Sequence, residues 1–272
     1  MGTTDYLMEN PEEEIRLEIK TDPRAVREEA CWCGLKPGMR VMDAGCGPGM
    51  ITSILYDMIQ PGGSITGVDY SEERIKYAKQ HYADDSGIDF RVHDLRSPIE
   101  DLGMFDLVWV RFVLEYNLRE STDIVRNLTH CLKPGGCLCL LDLDHNCLNH
   151  YELPVRMEEA LFKLMKRMEQ EFNFDPYSGR KLYSYLYDMG YEHITLDLVP
   201  HHLIYGKVKD SDAFNWLKKT QIAAIKAQDI FENYPGGSKA FFADFVHFFN
   251  DPRRFTYTSL LLCKGTKPLL SP

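Results

Sequence analysis

The stretch Met39–Met50 reads MRVMDAGCGPGM and decides the fold. Val41 and Met42 are apolar and end a short buried strand. Asp43 follows, and then a turn containing Gly45, Gly47 and Gly49. Apolar residues resume at helical spacing with Ile51, Ile54 and Leu55. The pattern is strand, glycine-rich turn, helix. Such a turn lets the backbone come close to a ligand, because glycine has no Cβ and tolerates unusual φ/ψ. The helix start behind it offers N–H groups without intrahelical partners and a partial positive charge.

A dinucleotide-binding turn takes the form G-x-G-x-x-G. Counted from Gly45, its third glycine falls on Met50, so the pattern is broken. No Gly-Lys-Ser/Thr follows, which excludes a Walker loop. Further along, GVDYS (Gly67–Ser71) ends a second strand with Asp69 at its tip. VHDL (Val92–Leu95) ends a third with Asp94. FDLVWVRFVLEY (Phe105–Tyr116) and LKPGGCLCLLD (Leu132–Asp142) supply the fourth and fifth. Helical patterns separate them at 51–59, 72–83 and 122–132. This alternation predicts a parallel sheet with helices on both faces.

The form D-x-G-x-G-x-G, followed by these pieces at these intervals, resembles the class I S-adenosylmethionine (SAM) dependent methyltransferases. The resemblance covers 35–146. It implies an α/β, Rossmann-like, seven-stranded and mostly parallel sheet, with SAM in the crevice at the strand ends. It also implies roles. The Gly45 carbonyl accepts from the SAM amine, and Gly47 belongs to the same cradle. Asp43 orients the turn and adds negative potential near the sulfonium. Asp69 accepts from both ribose hydroxyls, and Tyr70 packs on the adenine. Asp94 accepts from the adenine amino group, with the Leu95 N–H facing the ring. Arg111, after the fourth strand, holds the SAM carboxylate or an anionic substrate, or else pairs with a neighbouring acid. Glu115, Tyr116 and His145 are candidates for proton transfer at the acceptor, set against a solvated loop carboxylate for Glu115 and a structural role for His145. Tyr6 and Arg16-Leu17 echo an N-terminal lid that folds over SAM in some relatives.

The rest of the chain departs from the core pattern. Asp22-Pro23 reads as the cap and first turn of a helix carrying Val26, Ala30 and Cys33 and stopping at Gly34. From Pro154, Met157, Leu161, Leu164, Met165, Met168 and Phe172 recur at spacings of three and four, a helix with a core face. Tyr191–Val199 reads as a strand with Ile194, Leu196 and Leu198 alternating, and Phe255–Lys264 as the last strand. Between these two strands the chain is far longer than a hairpin loop needs. It carries Phe214, Leu217, Ile222, Ile225, Phe241, Phe242, Phe245 and Phe249 at helical spacing. The expected organisation is an N-terminal helical lid at 1–34, a SAM-binding core at 35–200 and 251–272, and a helical cap insert at 201–250 before the last strand. The alternative for the insert is a homodimer surface.

The chain has 272 residues, 44% of them hydrophobic, with a formal net charge of −10. A broad nucleic-acid or anionic-membrane surface needs clustered Lys and Arg, which this balance disfavours. Met1–Glu14 is acidic and lacks the apolar segment of a signal peptide. No run approaches the ~20 apolar residues of a membrane span. A cytoplasmic setting follows, with the 8 cysteines free and no metal site. The expected function is methyl transfer from SAM to a small-molecule acceptor. The rivals are a SAM-binding protein without transferase activity, and an NAD(P)-dependent oxidoreductase.

Overall fold

The structure, a computed structural model, describes residue 17 and residues 21–83, 87–99 and 102–269. The first described helix, α1 (Pro23–Cys33), begins and ends as its sequence dictates. The Asp22 side chain accepts from the Arg24 N–H, Pro23 opens the first turn, and Gly34 closes the helix in the left-handed region at φ 90°.

Five parallel strands follow: β1 (Arg40–Ala44), β2 (Ser64–Asp69), β3 (Ile88–Val92), β4 (Phe105–Arg111) and β5 (Leu132–Asp144). The crossovers are α2 (Met50–Met58), α3 (Glu72–Tyr82) and α4 (Ser121–His130). After β5 the chain makes the two-residue strand β6 (His150–Tyr151), then α5 (Val155–Glu171) and α6 (Leu182–Asp188). Strand β7 (Glu192–Tyr205), helices α7 (Asp210–Lys226) and α8 (Gly237–Asn250), and strand β8 (Phe255–Thr266) complete it.

The sheet order is β3-β2-β1-β4-β5-β8, with β7 and β6 both on β8. β8 runs antiparallel to β5 and to β7. The seven long strands are those expected, and β6 makes an eighth. It pairs His150 with Thr256 and Tyr151 with Phe255, on the edge of β8 that β5 has left at Ser259. β1 lies between β2 and β4, so the strand order reverses there. That reversal opens the crevice at the carboxyl ends of β1 and β4.

Side-chain alternation along each strand feeds two cores. Val41, Leu107, Trp109 and Leu141 face α1, α2 and α3, with Val26, Leu55 and Ile75. Met42, Val108, Leu138 and Leu140 face α4 and α6, with Val125, Leu128 and Leu186. A third core lies at the outer end of β7, where Ile204 joins it. It joins Met157, Leu164 and Met168 of α5 to Trp216 of α7 and to Phe241, Phe245 and Phe249 of α8. Burying each of these large apolar groups contributes about 1.5–3 kcal/mol.

Two expectations shift here. β7 runs on to Tyr205, so the insert begins at 206, and the helix from Pro154, α5, packs with the insert helices. On α7 the buried face is Trp216, Thr220, Ala223 and Ala224, while Phe214 and Ile225 are exposed. The small Ala pair lets α7 sit close, and Trp216 fills the space. Leu196 and Leu198 are also exposed, because β7 is an edge strand that runs past its covering helix.

Candidate active site

The glycine turn is pinned before any ligand arrives. The N–H groups of Gly45 and Cys46 both donate to the Val68 carbonyl, at 2.7 and 3.0 Å. Gly45 has φ 79°, and a Cβ there would stand 2.3 Å from Cγ2 of Val113. Gly49 has φ 93°, and its Cβ would meet Ala78 at 2.8 Å and Phe90 at 2.9 Å. Both positions also lie in the left-handed region that favours glycine, so the turn carries no side chain at either.

Asp43 lies beneath the turn, 3% exposed, and accepts from the Thr52 hydroxyl at 2.6 Å. Burial pushes its pKa up to about 7; Thr52 and the Arg111 charge oppose this, and Asp69 adds to it. Asp69 holds the other side of the turn. One carboxylate oxygen accepts from the Gly47 N–H at 3.0 Å, and the other from the Ser71 N–H at 2.9 Å. Arg74 stands 3.9 Å away. Each carboxylate oxygen has a second lone pair left for a ligand hydroxyl.

A cleft runs over this turn. Gly45, Gly47, Asp69, Tyr70, Asp94, Leu95, Arg111 and Tyr116 all border it, so eight of the candidate residues, from separate stretches, meet there. Tyr70 is 45% exposed on its rim. Asp94 is gripped by Arg96 through Nε and Nη2 at 2.7–3.0 Å, which holds its carboxyl below the ordinary range. Arg111 resolves in favour of the ion pair. Its Nε and Nη2 donate to Glu29 of α1 at 2.8 and 3.2 Å, with both side chains buried, and its guanidinium covers the Phe112 ring at 4.1 Å. It borders the cleft as half of a neutral pair, which leaves less charge for an anion than a lone arginine would.

Two candidates fall elsewhere. Glu115 is 2% exposed and does not border the cleft. Its carboxylate accepts from the Asn146 amide at 2.7 Å, and its N–H donates to Asp142 at 3.0 Å. In place of a solvated loop carboxylate stands a buried one; burial and then the Glu115 charge raise the Asp142 pKa. His145 turns away with φ 53° and packs edge-on against Tyr177 at 5.2 Å. Tyr6 and Arg16 lie outside the described residues, whereas Leu17 is helical and borders the cleft. Among the described residues, no group of three His, Cys, Asp or Glu is placed to hold a metal, and no helix is long and apolar enough to cross a membrane.

The sequence reading missed Glu29, Phe112, Phe172 and Asn173. Glu29 had a signal: it sits three residues after Val26 and one before Ala30, an acid on the apolar face of its helix. Asn173 had none. Its carbonyl accepts from the Leu118 N–H and its amide oxygen from the Arg119 N–H, both far away in sequence.

Residues 35–191 match the family described as "Methyltransferase domain". The chain belongs to the class I SAM-dependent methyltransferases. The ubiquinone biosynthesis O-methyltransferase of Haemophilus ducreyi is 31% identical over 144 residues, which are 50% of this chain and 58% of that protein. The chain thus matches little more than half the length of that curated relative. Among solved structures, the phosphoethanolamine N-methyltransferase 2 of Haemonchus contortus in complex with SAM is 14% identical, with a TM-score of 0.54 over 90% of this chain and 52% of that one. The [4+2]-cyclase SpnF is 18% identical, with a TM-score of 0.56 over 91% of this chain and 82% of that one. Both likenesses are of fold, and a fold shared by a methyltransferase and a cyclase does not choose between activities. In this methyltransferase-family chain, the side-chain-free floor and the open lone pairs of Asp69 fit the amino-acid end and ribose of SAM.

Proposed function

We propose that the protein transfers a methyl group from SAM to a small-molecule acceptor. The observation that carries this is the cleft itself: a glycine floor, with the carboxylates of Asp69 and Asp94 from successive strand ends on its border. Gly45 and Gly47 present backbone to the amino-acid end, Asp69 takes the ribose, and Asp94 with Leu95 takes the adenine edge. Bound SAM supplies a methyl already activated by its sulfonium. The chain's part is to position and exclude water. Asp43, once ionised, adds a negative charge below the turn. Glu29 holds Arg111 and Phe112 in place at the cleft wall. Tyr116 is the remaining candidate for contact with the acceptor, since Glu115 and His145 stand away from the cleft.

The insert acts as part of the acceptor enclosure. Helix α7 brings Lys209, Asp212 and Asn215 to a second cavity of about 750 Å³ that shares Thr21 and Arg111 with the cleft. Small-molecule sites are enclosed in this way. Calorimetry with SAM, S-adenosylhomocysteine (SAH) and NAD tests the cofactor, and label transfer from methyl-tritiated SAM to fractionated metabolites tests the activity. Micromolar SAH affinity with label in a small product is expected. Binding of NAD in place of SAH overturns the reading, and SAH binding without any labelled product leaves a SAM-binding protein.

A further inference from the structure

The sheet has two faces at its outer end, and they are treated differently. On one, Ile204 and its partner Thr256 are buried against the insert helices. On the other, register aligns large apolar side chains in water. Leu203 stands opposite Tyr257, Tyr205 opposite Phe255, and Tyr151 of β6 opposite Phe255 from the other side. Residues paired across antiparallel strands share a face. The Phe255 and Tyr257 rings lie 5.8 Å apart. Leu198 and Leu196, opposite Leu261 and Cys263, continue the same face along β7. Helix α6 covers it over Cys263 and Gly265, and the strands run on past that helix.

These seven side chains are 39 to 68% exposed among the described residues. Taking ~200 Å² for a large side chain fully in water, they leave roughly 700 Å² of mostly apolar surface. The largest patch on a typical monomer is about 300–600 Å², and each side of a stable interface of standard size buries about 800 Å². The charges beside the patch are already paired. Arg180 holds Asp144, which stands opposite Ser259 on this face, and Arg253 holds Glu152 next to Tyr151. A partner therefore needs no charge of its own, and a chain of net charge −10 can meet its own copy here without like charges facing. Addition of a strand to the open edge of β7 is disfavoured. The register shifts between Pro200 and His202, and Pro200 has no N–H to give.

We infer that this face is where two copies of the chain pack, sheet against sheet, about a two-fold axis near Leu203 and Tyr257. Rows of branched and aromatic side chains on a sheet interdigitate with rows of the same kind on another sheet about 10 Å away. A two-fold axis brings the same patch to itself, so the chain supplies its own complement. Two such patches together bury roughly 1,400 Å², within the range of a specific dimer. The insert is not the contact, because its large rings close on α5 within the chain.

Sedimentation velocity on the full chain, from about 0.1 to 100 μM, tests it; a doubling of mass with a Kd of about 1 μM is expected. Leu203→Glu combined with Tyr205→Glu should weaken the dimer about 100-fold or more. Phe162→Glu, at an exposed ring on α5 outside the patch, should leave it unchanged. Hydroxyl-radical labelling of the unaltered chain reads the same face without substitution: Tyr151, Tyr205 and Tyr257 should lose label several-fold as concentration passes the Kd, while Phe162 keeps it. A monomer throughout overturns the inference. So does a dimer that survives the double substitution, or one that forms without loss of label at the three tyrosines. A monomer that floats with phosphatidylcholine vesicles through Leu203 and Tyr205 assigns the patch to lipid and overturns it as well.

Discussion

The cofactor cleft and the core beneath the insert are built in opposite ways. The cleft is made from short contiguous stretches, each a strand end with the turn that follows, and its floor is backbone. The second core is made of large side chains drawn from α5, α7, α8 and the 228–231 turn between the last two, packed ring against ring. Phe231 and Phe241 have centroids 4.5 Å apart, Phe245 and Phe249 5.7 Å, and Trp216 and Phe249 5.5 Å. The two regions also treat buried titratable groups differently. The cleft holds an acid whose pKa burial raises, and the second core holds a base whose pKa burial lowers. One region is set by where the backbone goes, and the other by what fills the space between helices.

The largest expected effect asks whether the two regions melt together. Phe245→Ala removes a fully buried ring and should destabilise the second core by about 3–5 kcal/mol. If the regions are energetically separate, calorimetric SAH affinity changes less than about three-fold in the same variant. Loss of SAH binding in parallel with the lowered melting temperature would show one cooperative unit.

The pH dependence of stability separates the regions by sign. Folding raises the Asp43 pKa from 3.8 to about 7, so the folded chain holds a proton that the unfolded chain releases. This contribution is fully present at low pH and is lost as pH rises towards 7, by roughly 4 kcal/mol in all. His150 packs against Trp216, Phe245 and Phe248, and burial lowers its pKa from 6.5 to about 4. Here the unfolded chain takes the proton first. Stability is whole above pH 6.5 and is lost as pH falls towards 4, by roughly 3 kcal/mol. Urea denaturation from pH 4 to 8 should show Asp43→Asn losing the first slope and His150→Gln the second. A common effect of both variants on one slope would contradict the assignment.

A smaller effect belongs to ligand charge. A cation bound above the turn favours ionised Asp43, so SAM affinity should rise several-fold as pH passes upward through about 7. SAH carries no sulfonium and should vary less, and Asp43→Asn should make the two alike. Equal pH profiles for SAM and SAH in the unaltered chain would place Asp43 out of reach of the sulfonium. Asp69→Ala acts on the same cleft from the ribose side. Loss of the ribose contact should weaken SAH by about ten-fold, or ~1.4 kcal/mol. Because Asp69 also takes the Gly47 and Ser71 N–H groups, a drop in the melting temperature of the free protein should accompany it.

The cleft was legible because its chemistry is local. A glycine forced to φ 79° or 93°, or a carboxylate at a strand tip, leaves its mark within a few residues of its own position. The second region was legible only as hydrophobic spacing. That spacing marked α7 as a buried helix but not which face turns inward, because Trp216 decides this by fitting between α5 and α8. Arg111 shows the same limit. Its position after β4 announced a cleft residue, yet its partner sits 82 positions earlier, on α1.

From the sequence alone came the strand-turn-helix of Met39–Met50, the parallel run of the first five strands, and eight of the residues that border the cofactor cleft. Tertiary structure alone decided that Glu115 and His145 stand outside the cleft and that Glu29 neutralises Arg111. It also decided that α1, β7 and α7 enclose a second cavity with Asp212 on its wall. The reason is physical. Backbone conformation and strand alternation are fixed by neighbours along the chain, whereas burial, ion pairing and enclosure depend on which distant surfaces meet.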